Sequence, residues 1–324
     1  MAYFLGIDGG QSHTTALVAD ARGRILGRSV AGPSNHTREP GGRERLIGSI
    51  NQSVEASLRD AGLLNKKSVS DFRFASAHLA MAGEPEYKID IVRELLSADH
   101  LVVGHDAPGA LAGALAGEEG VIVLAGTGSV ACGETRDGKF VRVGGHGYAF
   151  GDEGGAFSIA REAMIVALRN QDRDEACGLT PALLSHFRRK TLKDIAEDYY
   201  AGEMSRDRLA GFAARLSKLA ERDDEAAEII DHAACALAEM AVVTAVRLDF
   251  SHRPIRISYG GGVFKSARLL TRFAAEVSIW LSRTQIVKPR FSADTGALLL
   301  AFRQAGKKIT TKMLANIEET YTGL

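Results

Sequence analysis

The chain has few cysteines and no excess of charge of either sign. Its three cysteines, Cys132, Cys177 and Cys235, stand far apart in 324 residues and form no Cys-x-x-Cys pair. A structural zinc site or a disulfide framework therefore has little support. The 40 basic and 40 acidic side chains give a net charge of 0, so nothing in the charge balance points to nucleic acid or an anionic membrane as a partner.

The sequence also lacks long apolar runs and a targeting segment. No apolar run reaches the roughly 20 residues that a membrane span needs. The start, Met1-Ala2-Tyr3-Phe4, has neither the basic region nor the cleavage signal of a secretory peptide. We therefore expect a cytoplasmic protein. The length of 324 residues, with 45% hydrophobic and 25% charged residues, is typical of an ordinary globular chain of about two domains.

The most informative stretch lies at the start of the chain. An apolar run ends on Asp8, turns on Gly9 and Gly10, passes hydroxyl residues including Ser12, and resumes as a second apolar run. This order predicts a β-hairpin whose glycines allow close backbone approach to a ligand. The turn amides and hydroxyls could bind a phosphate, and Asp8 could hold Mg²⁺ through water. An ordinary tight hairpin with a solvated Asp remains the alternative.

The opening pattern is repeated after a shift of 117 residues, which places Phe4, Gly9 and Ser12 on Val121, Gly126 and Ser129. Both copies read as strand, glycine turn, strand, polar turn and strand. One long-interval repeat predicts two related domains rather than a solenoid. We expect an N-terminal domain over residues 1–116 and a C-terminal domain with a helical insertion over 117–324, whose last helix packs back on the first domain.

Glycines or carboxylates follow several predicted strands. Residues 101–106 read as a buried strand that ends on Asp106, and the other elements are Asp8-Gly9-Gly10, Gly126-Thr127-Gly128-Ser129, Gly145 to Asp152 and Gly260-Gly261-Gly262. Ligands of α/β sheets collect outside the carboxyl ends of strands. Two duplicated domains with a cleft between them would hold a nucleotide's phosphates from both sides, and closure would exclude water.

Taken together, these stretches resemble the actin, sugar kinase and heat-shock-chaperone ATPase superfamily. Within it the sequence is similar to the N-acetylglucosamine kinase family, grouped with the BadF/BadG/BcrA/BcrD ATPases. The resemblance implies an α/β fold of two duplicated ribonuclease H-like (actin-like ATPase) domains. The matching stretches run from Gly6–Thr15 through residues 33–36, 106–107, 125–129, 144–154 and 260–263 to Ala293–Ala301.

The resemblance also implies a role for each matching residue. Asp106 would be the catalytic base, and Asp8 would hold Mg²⁺ through water. The nucleotide and phosphate contacts would be Gly9, Gly10, Gln11, Ser12, Thr127, Gly128, Gly261 and Gly262. The sugar contacts would be Asn35, Asp106, Gly145, His146 and Asp152. The first domain would form the sugar and phosphate side and the second the nucleotide side, and a homodimer would form through the helical part of the second domain.

Three positions depart from the family pattern. Gln11 stands where relatives commonly have a third glycine, Ser12 where they often have Thr, and His146 where they often have Trp. The glutamine adds bulk at the phosphate turn, and the histidine removes an aromatic face beside the sugar.

Simpler structural roles stay open for the same residues. Asp106 and Asp152 could cap the helices that follow them, Asn35 could make an Asx-turn, and Thr127 could be a plain turn residue. The glycines at 260–262 could serve helix packing.

The expected activity is phosphorylation of a hydroxyl of an amino sugar or hexose by Mg-ATP, with N-acetylglucosamine or glucosamine as acceptor. Phosphoryl transfer needs positioning, charge neutralisation and one acceptor for the attacking hydroxyl, and the resemblance implies that Asp106 would be that acceptor. Two other functions are considered. One is an ATPase that activates a reductase or dehydratase through a bridging iron–sulfur cluster, and the other is a non-catalytic regulator that binds sugar or nucleotide.

Overall fold

The computed structural model describes residues 1–10, 12–35, 37–64 and 68–321. The chain divides into two compact units. The first contains Met1–Glu118 and the segment from Pro289 onward, and the second is Glu119–Lys288. The sequence analysis placed residues 117–324 in the second domain and expected the last helix to pack back on the first, and the structure groups the whole segment from Pro289 with the first unit.

The secondary structure is mixed α/β. The strands are β1 (Tyr3–Gly9), β2 (Thr14–Asp20), β3 (Ile25–Ala31), β4 (Arg73–Met81), β5 (Ser97–His105), β6 (Gly120–Ala125), β7 (Ser129–Glu134), β8 (Phe140–Gly144), β9 (Ile255–Gly260) and β10 (Thr284–Val287). The helices are α1 (Gly42–Asp60), α2 (Ile89–Leu95), α3 (Asp106–Ala114), α4 (Ala156–Asp172), α5 (Leu179–Phe187), α6 (Leu192–Tyr200), α7 (Arg206–Ala210), α8 (Ala213–Leu219), α9 (Asp224–Arg247), α10 (Ala267–Trp280), α11 (Ala293–Gln304) and α12 (Thr311–Thr320).

The first unit is built on a five-stranded sheet of order β3-β2-β1-β4-β5. The strands β1, β2 and β3 form consecutive antiparallel pairs, while β1, β4 and β5 run parallel. Parallel pairing aligns Gly9 with Met81 and Met81 with His105. The carboxyl ends of three strands therefore meet at one edge of the sheet, where Asp8 and Asp106 also lie.

Both faces of this sheet are covered by helices. On one face α1 buries Leu46, Ile50, Val54 and Leu58, which recur at helical spacing. On the other, the Phe302 ring of α11 lies 4.4 Å from the Phe4 ring, centroid to centroid. Strand β5 was expected to be buried, but it has a neighbour on one side only and its residues are half-buried or exposed.

Helices α3 and α11 pack closely because glycines lie where they meet. A Cβ on Gly296 of α11 would overlap the carbonyl oxygen of Gly109 and would lie 2.5 Å from the Gly113 nitrogen of α3. Only a residue without a side chain allows this backbone approach. Each helix carries an acid in its first turn, Asp106 in α3 and Asp294 in α11.

The second unit repeats the arrangement of the first. Its sheet has the order β10-β9-β6-β7-β8, with antiparallel pairs β6–β7 and β7–β8 and parallel pairs β6–β9 and β9–β10. The strands β6, β7 and β8 correspond to β1, β2 and β3, and β9 and β10 to β4 and β5. The predicted α/β class and the duplication are therefore confirmed.

Helix α9 lies in the core of the second unit and buries residues including Ile230, Leu237 and Ala241. Within the part of the chain that the structure describes, it is the one helix long and apolar enough to cross a membrane on length and composition. Of the most apolar part of this helix, 56% is buried inside the structure. The core helix of a globular unit can have the same length and apolar composition as a membrane-spanning helix. Two charged residues, Asp231 and Glu239, interrupt this apolar stretch.

Candidate functional site

Three carboxyl groups of the first unit interact electrostatically: Asp8 at the end of β1, Asp106 and Asp294. Burial raises the pKa of Asp8 to about 7, and the negative charges of Asp294 and then Asp106 add to the increase. A partly buried carboxyl group that interacts with other carboxyl groups is stabilised by a cation. This part of the unit therefore suits a bound cation or a cation carried by a ligand.

Asp294 is held firmly in place. Its side chain is buried and lies 3.7 Å from the Arg28 guanidinium, measured from Oδ2 to Nη2. It accepts hydrogen bonds from the Thr295 amide at 2.6 Å, the Tyr321 hydroxyl at 3.4 Å and the Ser292 hydroxyl. Sequence reasoning did not assign this residue a role. The available signal was a strand followed by a helix with small residues and one acid in its first turn.

Asp106 is exposed and is the first residue of α3. The helix cap is His105, which makes no side-chain capping bond, so the capping role left open for Asp106 is not the one observed. Within the described residues no hydrogen-bond partner is found for its carboxylate. An exposed carboxylate at the carboxyl edge of a parallel sheet can accept a proton from a substrate hydroxyl.

The glycine turn between β1 and β2 is fixed by its neighbours. The Gly10 amide donates to the His13 carbonyl at 2.9 Å, so it is already engaged within the turn. Gly9 lies so close to neighbouring groups that a Cβ there would be 2.5 Å from Met81 Sδ and 2.6 Å from Ser34 Oγ. Ser12 is exposed at the turn, and Gln11 lies outside the described residues.

Two buried polar residues flank this turn. Asn35 is 8% exposed, and Ser34 is fully buried with no hydrogen-bond partner for its hydroxyl within the described residues. A buried hydroxyl without a partner is uncommon in folded proteins. Sequence reasoning singled out Asn35 but missed Ser34, because a serine in a Gly-Pro-Ser loop reads as an ordinary turn former.

In the second unit the loop at Gly126, Thr127 and Gly128 is seated on the start of α4. The Ala156 and Phe157 amides donate to the Gly126 and Thr127 carbonyls at 2.8 and 3.0 Å. The Thr127 hydroxyl donates to Asp207 Oδ1 at 2.9 Å. A threonine hydroxyl has one proton to donate, so a phosphate contact from that proton would replace the bond to Asp207.

Asp152 lies directly against this loop. A Cβ on Gly128 would be 2.6 Å from the Asp152 Cγ. The Asp152 side chain is buried, and its backbone is left-handed, with φ of 64°. The cap of α4 is Gly155, so the capping role considered for Asp152 is not observed. Non-glycine residues in this conformation are uncommon, and strained positions cluster at functional sites.

Gly128 and Asp152 lie close together in the structure. Gly145 and His146 belong to the same glycine-rich segment as Asp152, residues 144–155. The Gly145 carbonyl accepts a hydrogen bond from Arg142 Nη2 at 2.9 Å, while His146 is exposed. The aromatic residues of this segment are Tyr148 and Phe150, and both are exposed. Tyr148 borders a cavity of about 450 Å³ that sequence reasoning missed, lined among others by Tyr148, Phe157, Arg161, Met164, Tyr199 and Tyr200.

The glycines after β9 have different surroundings. Gly261 has φ of 96°, and a Cβ there would lie 2.5 Å from the Ala125 carbonyl carbon, so it is required by packing against β6. A Cβ on Gly262 would meet no atom within 4 Å. Of the two, only Gly262 leaves space in which a nucleoside could lie on the backbone.

The cysteines do not gather. Cys132 is buried, and Cys177 and Cys235 are half-buried. Over residues 1–10, 12–35, 37–64 and 68–321 there is no group of three or more His, Cys, Asp or Glu side chains that could hold a metal ion directly. A Mg²⁺ ion would therefore depend on water and phosphate oxygens for most of its ligands, which is its usual coordination in nucleotide sites.

A profile of the BadF/BadG/BcrA/BcrD ATPase family matches residues 5–301. The chain belongs to this family. The match covers both units and confirms the family predicted from the motifs. Family membership also implies that the protein uses ATP.

Relatives that are about 25% identical to this chain align with almost its whole length. The chain is 25% identical over 307 residues to an N-acetylmuramic acid/N-acetylglucosamine kinase of Clostridium acetobutylicum, covering 93% of this chain and 98% of the relative. It is 26% identical over 310 residues to the glucosamine kinase GspK of Vibrio cholerae, covering 93% and 96%.

Solved structures share the fold. A candidate N-acetylglucosamine kinase of Chromobacterium violaceum superposes with a TM-score of 0.75 at 24% identity, covering 93% of this chain and 99% of that one. A ROK family glucokinase of Streptomyces griseus, solved with glucose and AMPPNP, gives a TM-score of 0.57 at 18% identity, covering 93% and 100%. The two-domain actin-like ATPase fold predicted from the sequence is thereby confirmed.

Proposed function

We propose that this protein is an ATP-dependent sugar kinase. It transfers the γ-phosphoryl group of Mg-ATP to a hydroxyl of an amino sugar or hexose, with N-acetylglucosamine and glucosamine as the first acceptors to test. The observation that carries the proposal is the exposed Asp106 carboxylate at the start of α3, which interacts electrostatically with half-buried Asp8, in a chain of an ATPase family. The kinase names of the relatives support the acceptor class.

The chemistry asks little covalent work of the protein. In phosphoryl transfer the enzyme mainly positions the reactants and stabilises charge, and one group accepts the proton of the attacking hydroxyl. We assign that proton to Asp106. The sugar would be oriented by Asn35, Gly145, His146 and Asp152, of which Asn35 and Asp152 are buried polar side chains.

The phosphates would be bound by the glycine loops of the chain. In the first unit these contacts come from the turn at Gly9 and Gly10 with Gln11 and Ser12, and in the second from Thr127 and Gly128. We assign the nucleoside to Gly261 and Gly262, where the open space lies beside Gly262. Gln11 is assigned to the phosphates on the sequence motif alone.

Mg²⁺ would enter with the nucleotide and neutralise charge on the phosphate oxygens. Asp8 would hold it through water. The pKa of Asp8 is raised by burial and by the charges of Asp294 and Asp106. A bound cation would stabilise the ionised form of this carboxyl group. The protein's own contribution is to keep the carboxyl groups in fixed positions, as the contacts of Asp294 do.

A coupled ADP-release assay tests the proposal. Purified protein with Mg-ATP is assayed against glucosamine, N-acetylglucosamine, N-acetylmuramate, glucose and mannose. We expect sugar-stimulated turnover with at least one amino sugar. Absence of stimulation across the panel would contradict a kinase, and would leave a non-catalytic regulator or a reductase activator. An iron-containing anaerobic preparation would then favour the activator.

Asp106→Ala is the decisive variant. General-base catalysis contributes on the order of 10²–10⁴-fold, so we expect kcat to fall by that factor while the affinity for a non-hydrolysable ATP analogue stays within about threefold. Asp90→Asn is the matched control, because Asp90 is an exposed acid of the same unit. A near-wild-type rate in Asp106→Ala would remove Asp106 from its proposed role.

We also propose that the protein is a cytoplasmic homodimer joined through the second unit. Val243 and Val246 of α9 and Ile279 and Trp280 of α10 are 37–71% exposed, and α9 and α10 pack against each other. Exposed apolar clusters of this kind mark interaction surfaces. Light scattering after gel filtration should give twice the chain mass, and Trp280→Glu should give the mass of one chain. A monomeric wild-type protein would contradict this assignment.

A further inference from the structure

Lys88 is the single lysine or arginine among the buried residues that the structure describes. It is 1% exposed and immediately precedes α2. Lysine is almost never fully buried unless its charge is compensated, because removing an ammonium group from water is costly. Neither the family motifs nor the periodicity of the sequence pointed to this residue.

Two groups compensate the buried ammonium. Lys88 Nζ donates a hydrogen bond to the Ala82 carbonyl at 2.5 Å. Burial lowers the pKa of Lys88, and the negative charge of Asp106 acts in the opposite direction and favours the ammonium form. The lysine therefore interacts with the candidate catalytic carboxylate as well as with the backbone after β4.

Ala82 connects Lys88 to the candidate phosphate turn. The Ala82 amide donates to the Gly9 carbonyl at 2.8 Å, while the Ala82 carbonyl accepts from Lys88. Met81, the preceding residue, contacts Gly9 directly, since a Cβ on Gly9 would lie 2.5 Å from Met81 Sδ. The order of contacts is thus Lys88, Ala82, Gly9.

We infer that Lys88 is a positioning residue for phosphoryl transfer. It fixes Ala82, and through Ala82 the turn at Gly9, and its buried positive charge interacts electrostatically with Asp106. This inference rests on the proposed kinase activity. In a low-dielectric site, preorganised positive charge is worth more than in water, and it counts most where negative charge develops during the reaction.

A purely structural lysine would behave differently. Replacing both members of a buried ion pair by apolar residues is often neutral or stabilising, whereas removing one member alone is destabilising. Lys88→Met removes one group and leaves the Ala82 carbonyl without this donor, so a loss of stability is expected under either role. If Lys88 serves the fold alone, the folded Lys88→Met protein keeps the kcat and the analogue affinity of the wild type. If it positions the reaction, the folded variant loses both.

The test compares Lys88→Met, Lys88→Gln and the control Lys312→Met, which replaces an exposed lysine of the same unit. Each full-length variant is measured for thermal unfolding, for calorimetric affinity toward the Mg complex of a non-hydrolysable ATP analogue, and for kcat and KM with the best sugar. The Gln variant retains an N–H donor without the charge.

For Lys88→Met we expect kcat to fall about 100-fold, the scale for removing one preorganised donor. We expect analogue affinity to fall about tenfold, equivalent to roughly 1.4 kcal/mol, because the turn at Gly9 is no longer fixed through Ala82, with the sugar KM within about threefold. Lys88→Gln should lose kcat by at least about tenfold while keeping more of the analogue affinity, and Lys312→Met should match the wild type.

Analogue affinity and kcat both within about twofold of wild type in Lys88→Met would overturn the inference. If that variant does not fold, unchanged values in Lys88→Gln would overturn it in the same way. If the wild type shows no turnover with any sugar, the proposed kinase function fails. The analogue affinities then still test the role of Lys88 at the nucleotide. Unchanged affinity in both Lys88 variants would reject that role, and a tenfold loss would support it.

Discussion

Asp294 raises the pKa of Asp8. The two carboxyl groups belong to different elements of the first unit, Asp8 to the end of β1 and Asp294 to the first turn of α11. Burial is the larger cause of the shift, and the charge of Asp294 is the next. The unit therefore maintains an electrostatically unfavourable arrangement, which is typical of sites built for a ligand rather than for stability.

The first prediction concerns the stability of the ligand-free protein as a function of pH. The pKa of Asp8 rises from 3.8 to about 7 on folding, so its contribution to stability is fully present below 3.8 and is lost as the pH rises through 7. At pH 8 in EDTA, Asp8→Asn should therefore be more stable than the wild type by on the order of 2–4 kcal/mol. Urea unfolding followed by circular dichroism measures this difference.

The same variant should lose kinase activity, and the wild type should gain stability when Mg-ATP is added, because a ligand that binds only the folded state stabilises it. At pH 4 the difference between variant and wild type should nearly vanish. The exposed acid Asp90 serves as the control, and Asp90→Asn should stay within about 0.5 kcal/mol at both pH values. If Asp8→Asn is less stable than the wild type at pH 8, then burial and the neighbouring carboxylates do not destabilise the ionised Asp8 side chain.

The second prediction concerns His78 in β4. Burial lowers the pKa of this histidine from 6.5 to about 4, and its Nδ1 lies 2.5 Å from Gln304 Nε2 of α11. The folded state therefore favours the neutral ring. Stability should be fully present above pH 6.5 and fall as the pH decreases toward 4, by up to about 3 kcal/mol from this residue.

Replacing His78 by Leu should flatten the stability profile between pH 6.5 and 4, although it also breaks the contact with Gln304. His100→Gln is the matched control, since His100 is exposed on the neighbouring strand β5, and its profile should follow the wild type. Chemical unfolding at several pH values provides the measurement. An unchanged pH slope in His78→Leu would mean that another group causes the acid sensitivity.

Much of the fold followed from local patterns. The glycine hairpin and its recurrence 117 residues later predicted the duplicated sheets, because strand, turn and strand are encoded by neighbouring residues. The placement of α11 did not follow. Helical periodicity shows that Leu298 and Phe302 face a core, but not which sheet supplies it, and they lie with Phe4 in the first unit.

The candidate site was only partly visible in the sequence, for a similar reason. Residues inside motifs, such as Asp8 and Asp106, were identified. Asp294, Ser34 and Lys88 were not identified. Their roles depend on contacts with residues outside their own motifs, and a single acid, serine or lysine in a sequence does not predict such contacts. The aromatic cavity beside Tyr148 collects residues from three helices as well as the glycine-rich segment, and no short motif records it.

The third prediction concerns the meeting of α3 and α11. Gly296→Ala would place a methyl group into the backbone of Gly109 and Gly113. Because backbone atoms cannot move aside as a flexible side chain does, we expect a loss of about 1–3 kcal/mol in unfolding free energy. The helices also carry Asp106 and Asp294, so kcat should fall as well.

Gly48→Ala is the matched control. Gly48 lies within α1, and a Cβ there would meet no atom within 4 Å. Alanine should stabilise this helix by about 0.5–1 kcal/mol and leave kcat unchanged. Thermal unfolding and the ADP-release assay measure both variants. A stable, fully active Gly296→Ala would show that the close contact between the two helices is not needed.

The last prediction distinguishes the two glycines after β9. Gly262 faces open space and Gly261 is packed against β6. If the nucleoside lies on the backbone at Gly262, then Gly262→Ala should weaken binding of a Mg-ATP analogue by about tenfold, the equivalent of roughly 1.4 kcal/mol, without lowering the melting temperature. Gly261→Ala should instead lower stability by about 1–3 kcal/mol, because its φ of 96° and the nearby Ala125 backbone both oppose a side chain. Calorimetric titration and thermal unfolding separate the two effects. Unchanged affinity in Gly262→Ala, and again in the bulkier Gly262→Leu, would exclude this surface as the nucleoside site.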